Sequence, residues 1–213
     1  MAVNQKKAPA QVFRYLADRD HAEAFCSGYI WLSTFNQIRH ADSGRADKDD
    51  GQLLYSLTSV TPDTPAADRE VIRHRIEPAI GEPLNDTLEN VHVFRQHPDA
   101  YVLCTTLREE RKMRDRFGQF CVRISHPYAF FKCVTSMLLE KGVLLEADDF
   151  APVQYAGRSF ADANPEVGQV AFANVPGNAF EREARMVWTP RSRDSLPPML
   201  LHVPATVGMC SIV

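Results

Sequence analysis

The 213-residue sequence predicts an α+β fold, a mostly antiparallel β-sheet with a few covering helices. Three observations lead there. Short runs rich in Val, Ile, Tyr, Phe and Trp recur along the chain between turns marked by Gly and Pro. Only a few stretches carry helical periodicity. Alternating βαβ units with a Gly-rich first turn are missing: neither G-x-G-x-x-G nor G-x-x-x-x-G-K-S/T occurs, so Rossmann and P-loop chemistry have no support.

Residues 1–10 read as a frayed tail and 11–213 as a single domain. Residues 11–16 alternate as a strand, with Phe13 and Tyr15 on one face and Arg14 on the other. Asp20 is a candidate N-cap for a short helix over 21–26, and Gly28 is placed to end it in the left-handed conformation. Residues 29–35 form a second strand dense in β formers. Residues 40–51 are polar and without period, an exposed loop. Its Asp47, Asp49 and Asp50 lack the D-x-D-x-D-G frame and closing glutamate of a calcium loop, so no metal is expected.

Residues 53–60 make a strand that Pro62 and Pro65 terminate. Residues 66–80 suit either a helix or a strand, and 82–90 a short helix. Residues 101–107 form a buried strand. Residues 108–116 mix Arg, Lys, Glu and Asp into a helix charged nearly all round, which Gly118 ends. Residues 119–124 follow as a strand with Phe120, Val122 and Ile124 on one face. Pro127 opens a helix whose Phe130, Phe131, Val134, Met137, Leu138 and Leu139 make a broad apolar stripe, closed by Gly142. Residues 143–155 supply one or two short strands, 180–188 another, and 199–203 the last.

A content of 45% hydrophobic and 24% charged residues is that of an ordinary globular protein. The net charge of −3 argues against a non-specific nucleic-acid binder. Cys26, Cys104, Cys121, Cys133 and Cys210 are scattered and form no C-x-x-C pair, so neither a zinc knuckle nor a thioredoxin-like site is signalled. Such usage fits a reducing compartment. The first eleven residues lack an apolar h-region, and no run approaches the ~20 apolar residues of a membrane span. The chain therefore reads as cytoplasmic, or as delivered into a target cytoplasm without a visible signal peptide.

Chemistry concentrates on the strand over 180–188. Phe180, Ala184, Met186 and Trp188 fall on one face with Arg182; Glu181, Glu183 and Arg185 fall on the other. Two carboxylates roughly 6.5–7 Å apart then project together. With Arg14 on the first strand and Ser33-Thr34 ending the second, the order resembles the Arg / Ser-Thr-Ser / Glu-x-Glu pattern of mono-ADP-ribosyltransferases, the cholera-toxin-like branch. The likeness covers roughly 13–35 and 178–188 and departs from the pattern at Phe35, where a second serine belongs. The chain is also similar to a group of uncharacterised bacterial proteins with a late Glu-x-Glu-x-Arg strand, a likeness that carries no activity.

The resemblance implies a split sheet and NAD as co-substrate, with no metal. It assigns Arg14 to the NAD pyrophosphate and Glu183 to the cationic ribose. Ser33 would orient Glu183, Thr34 would support the strand, and Glu181 would position or deprotonate the acceptor. Tyr15, Trp31 and Phe35 would wall the nicotinamide pocket. The implied partners are NAD and a macromolecular acceptor, a protein ahead of a nucleic acid, for a toxin, effector or phage-related factor. An NAD-hydrolysing relative is a variant of the same reading. Each residue also has a structural role open to it. Arg14 could pair with a carboxylate, Ser33-Thr34 could cap a helix starting at Phe35, Tyr15 and Trp31 could pack in the core, and Arg185 could pair with Glu183. Taken together, those roles describe a non-catalytic interaction protein on the same scaffold.

Overall fold

The computed structural model describes residues 9–41, 50–61, 63, 77, 81, 83, 87–155, 170–192 and 194–213, with the backbone alone for 53–58, 93 and 95. It has the α+β, mostly antiparallel architecture expected. The chain divides into two compact units. The first holds 1–50, 98–153 and 180–213; the second holds 51–97 and 154–179.

The first unit is built on strand β5 (Tyr101–Thr106). One of its edges pairs along its whole length with β10 (Glu183–Pro190), which in turn pairs with β7 (Leu145–Pro152). The other edge is shared. β2 (Tyr29–Thr34) takes its start, Ser33 opposite Val102 and Thr34 opposite Tyr101. β1 (Val12–Leu16) takes its end, Phe13 opposite Thr106. The sheet therefore forks at Leu103–Thr105. β2 continues to β11 (Met199–His202), while β1 continues to β6 (Phe120–Ile124) and β12 (Cys210–Ile212).

Alternation along these strands sorts two faces. Val12, Ile30, Leu32, Tyr101, Leu103, Val122, Ile124, Ala184, Met186 and Trp188 enter one core cluster. Helix α1 (Arg19–Cys26) adds Ala22 and Phe25 to it; the helix over Pro127–Glu140 adds Phe130, Phe131, Val134 and Leu138. Phe25 stacks on Phe130 at 5.6 Å and Phe131 on Trp188 at 5.2 Å. Such pairs add about 0.5–1.5 kcal/mol beyond area burial. Trp188 keeps its polar end satisfied, since Nε1 donates to Thr135 Oγ1 at 2.8 Å. On the opposite face, Phe13, Tyr15 and Cys121 pack with Met113 from the helix over Arg111–Phe117.

Several boundaries differ from the sequence expectation. α1 starts two residues early because Asp18, not Asp20, caps it: Oδ1 accepts from His21 N at 2.8 Å. Leu139, expected in the apolar stripe of the Pro127–Glu140 helix, is 52% exposed. The strand expected over 180–188 begins only at Glu183. Phe180 and Glu181 belong to a 3-10 turn (Pro176–Glu181), and Arg182 follows with a left-handed φ of 45°. β12 had no sequence expectation. Gly118 has φ 141°, and a Cβ there would run into the Leu16 carbonyl, so only glycine fits between the Arg111–Phe117 helix and β6.

In the second unit β3 (Gln52–Val60) and β4 (Leu88–Gln96) form an antiparallel pair, and the hydrogen bond from His97 N to Gly51 O at 2.9 Å closes its base. The helix expected over 82–90 gives way at its described end: Leu88–Asn90 are strand, because pairing with β3 overrides local preference. β8 (Gln154–Tyr155) and β9 (Ala173–Asn174) make a short parallel pair. The expectations for 66–76, and most of the polar loop over 40–51, fall outside the described residues.

Candidate functional site

From Glu183 onward β10 alternates as expected: Ala184, Met186 and Trp188 enter the core, and Glu183 and Arg185 share the other face. Their environment is not the wet surface that alternation alone suggests. Glu183 is 7% exposed and Arg185 1%. Arg185 grips Glu183 with both ends of its fork, Nε to Oε1 and Nη2 to Oε2, each at 2.8 Å. Its Nη1 lies 2.7 Å from Oδ1 of Asp50, which is 4% exposed. One guanidinium thus bridges two buried carboxylates. Burial alone would lower the pKa of Arg185, but Asp50 and Glu183 override it and hold the group well above its ordinary value.

Cys104 completes the cluster. It faces Arg185 across the β5–β10 pair, and its thiol hydrogen-bonds Glu183. Burial, and then the Glu183 charge, push this thiol well above its ordinary pKa, which leaves it a poor nucleophile.

Arg14 leaves β1 on the core face with Val12, opposite to Phe13, whose row contains Thr106 and Glu183. Its guanidinium nevertheless turns into the fork of the sheet. Nη1 donates to the Cys104 carbonyl at 2.8 Å, and the group lies 6.0 Å from the Phe25 ring centroid. Burial lowers its pKa. Its Nε is buried without a hydrogen-bond partner, and no carboxylate among the described residues pairs with it. Arg14 and Glu183 therefore sit on two sides of Cys104, one at its carbonyl and the other at its thiol.

The other residues named from the sequence do not join them. Ser33 shares a face with Glu183, but its row on β5 is Val102, four residues from Thr106. That is about 13 Å along the strand and two strand spacings across, beyond hydrogen-bond reach. Thr34 is the N-cap of a short helix, Phe35–Arg39, its Oγ1 accepting from Gln37 N at 3.1 Å. Phe35 is fully buried. Tyr15 is locked by Glu110: its hydroxyl accepts from the amide at 2.8 Å and donates to the carbonyl at 3.2 Å. Trp31 is 45% exposed, beside Tyr29 at 46% and Leu200 at 59%, and Tyr29 stacks on His202. These positions do not assemble into one aromatic wall.

Glu181 is separated from Glu183 by the left-handed Arg182. Its Oε1 lies 3.0 Å from Nη2 of Arg116, whose guanidinium rests against Phe117 and Phe180. The two carboxylates thus have different cationic partners. Two members of the cluster were missed by sequence reasoning. Asp50 sat in what read as a solvated loop, and Cys104 read as a small apolar filler; neither carries a local signal. Among the described residues, no His, Cys, Asp and Glu group has a metal-holding arrangement, and no helix is long and apolar enough to cross a membrane. No protein-family model, curated protein or solved structure matches the chain.

Proposed function

We propose that this chain is a non-catalytic binding protein with a macromolecular partner, a protein ahead of a nucleic acid. The observation that carries this reading is the Asp50–Arg185–Glu183 bridge. A carboxylate that stabilises a ribosyl cation has to face its substrate, whereas both oxygens of Glu183 are held by Arg185. Glu181 is likewise engaged, by Arg116. Support for a partner of low charge comes from the net charge of −3 and from the pairing of basic residues in the 108–116 run, Arg114 with Glu109 at 2.7 Å. The exposed Tyr29, Trp31 and Leu200 on β2 and β11 offer an apolar patch for such a partner.

A second reading is favoured by Arg14, an arginine at a fork with no carboxylate partner among the described residues. There the chain is an NAD-dependent mono-ADP-ribosyltransferase or NAD glycohydrolase. Arg14 takes the pyrophosphate, and Glu183 has to leave Arg185 before it can face the ribose. Thermal unfolding of the full chain with millimolar NAD separates the two. The first reading predicts no upward shift in Tm; a shift that disappears in Arg14→Ala establishes the second.

A further inference from the structure

The chain passes between its two units at four points: 50/51, 97/98, 153/154 and 179/180. Within the first unit, three of these roots converge on the buried ionic cluster. Asp50, the last residue before the first departure, gives its side chain to Arg185 and its carbonyl to Arg39 Nη1 at 3.0 Å. Val153, the last before the second departure, donates its amide to the Glu183 carbonyl at 2.9 Å. The second return enters β10 through Arg182, whose carbonyl accepts from Leu107 N at 2.9 Å, and then reaches Glu183 itself. The remaining root, at 98, is pinned apart from the cluster. Asp99 accepts from Asn36 N at 2.9 Å and from Leu196 N at 3.1 Å.

We infer that the Asp50–Arg185–Glu183 cluster is a conformational clamp that closes the roots at 50, 153 and 180, and that its release opens them locally without unfolding the rest of the first unit. Charge explains why release stays local. Removing the charge of Asp50 leaves Arg185 gripping Glu183 but frees that end of β10 from Asp50, so the roots at 50, 153 and 180 lose their common anchor while the strand from Met186 onward keeps its pairing with β5. A partially opening segment of this kind exchanges its amides faster than the strands beyond it. This inference goes beyond the binding role proposed above and does not depend on it.

Amide hydrogen exchange on the full chain tests it, with wild type compared with Asp50→Asn. The amides of Val153 and Leu107 report the roots; those of Val122 and Ile124 in β6 report the body of the sheet. The clamp predicts at least a tenfold faster exchange at Val153 and Leu107, with β6 unchanged within about twofold. Unchanged exchange at both root amides overturns it. Equal acceleration at the roots and in β6 also overturns it, because the cluster would then stabilise only the whole fold. If Asp50→Asn does not fold, Arg39→Met, which removes only the donor to the Asp50 carbonyl, is read by the same criteria.

Discussion

Replacing Arg185 by Met removes the guanidinium that bridges two buried carboxylates. In the folded protein Glu183 and Asp50 then lose the guanidinium that bridges them at a buried position. Breaking a buried ion pair from one side costs about 3–5 kcal/mol. Against a total stability of about 5–15 kcal/mol, that is a large fraction, and it lowers Tm by roughly 6–20 °C for a chain of this size. Glu183→Gln is milder, about 1.5–3 kcal/mol for a lost charge-assisted interaction, because Arg185 keeps Asp50. The apolar triple variant Asp50→Leu/Glu183→Leu/Arg185→Met recovers most of the loss, since the three bridged charges leave together. Urea unfolding read at a common m-value gives all three numbers. The reasoning fails if Arg185→Met costs under about 1 kcal/mol. It fails equally if Glu183→Gln raises stability, the behaviour of a carboxylate kept for function at the expense of the fold.

Further outcomes follow from other positions. Gly118→Ala destabilises by more than about 2 kcal/mol in the same urea assay, because the added Cβ meets the Leu16 carbonyl at a left-handed φ. Arg182→Gly stabilises by about 0.5–1 kcal/mol: it relieves a left-handed non-glycine residue and loses only a half-exposed ion pair at 3.7 Å. Alkaline pH weakens the fold in a defined window. Burial raises Tyr15 from 10 to about 12 and Cys121 from 9 to about 11. Their contribution is complete below about pH 9 and is lost as pH rises through 11–12. Urea midpoints measured from pH 8 to 12 show the decline, and Tyr15→Phe flattens its upper part, between pH 10 and 12.

The architecture was legible where local pattern and tertiary environment agree. The β-rich runs at 12–16, 29–34, 101–106 and 120–124 are strands because their apolar positions recur every second residue against helices that cover one face. The stripe from Phe130 to Leu138 needed only the 3.6-residue period. The site was less legible, for three physical reasons. Arg182, the one charged residue on the otherwise apolar face of 180–188, is the only mark in the sequence of where β10 starts, and nothing there signals that Glu181 and Glu183 take different partners. Asp50 comes to Arg185 across a separation of 135 positions, and Cys104 meets Arg185 only through the register of β5 with β10. Ser33-Thr34 kept the right order, but order along the chain fixes neither the row a residue takes on β5 nor a capping role; Thr34 went to Gln37 N. Arg185 was the residue on which the two functional readings already diverged, and its grip on Glu183 is the observation that the proposed binding role rests on.

The central claim is that Glu183 serves as the structural partner of Arg185 and not as a catalytic carboxylate. Release of labelled nicotinamide from NAD, measured for the wild-type chain and for Glu183→Gln with a cell lysate as acceptor source, tests it most directly. The account predicts no release above background from either protein. Turnover by the wild type that Glu183→Gln abolishes would contradict it and establish the transferase or glycohydrolase reading.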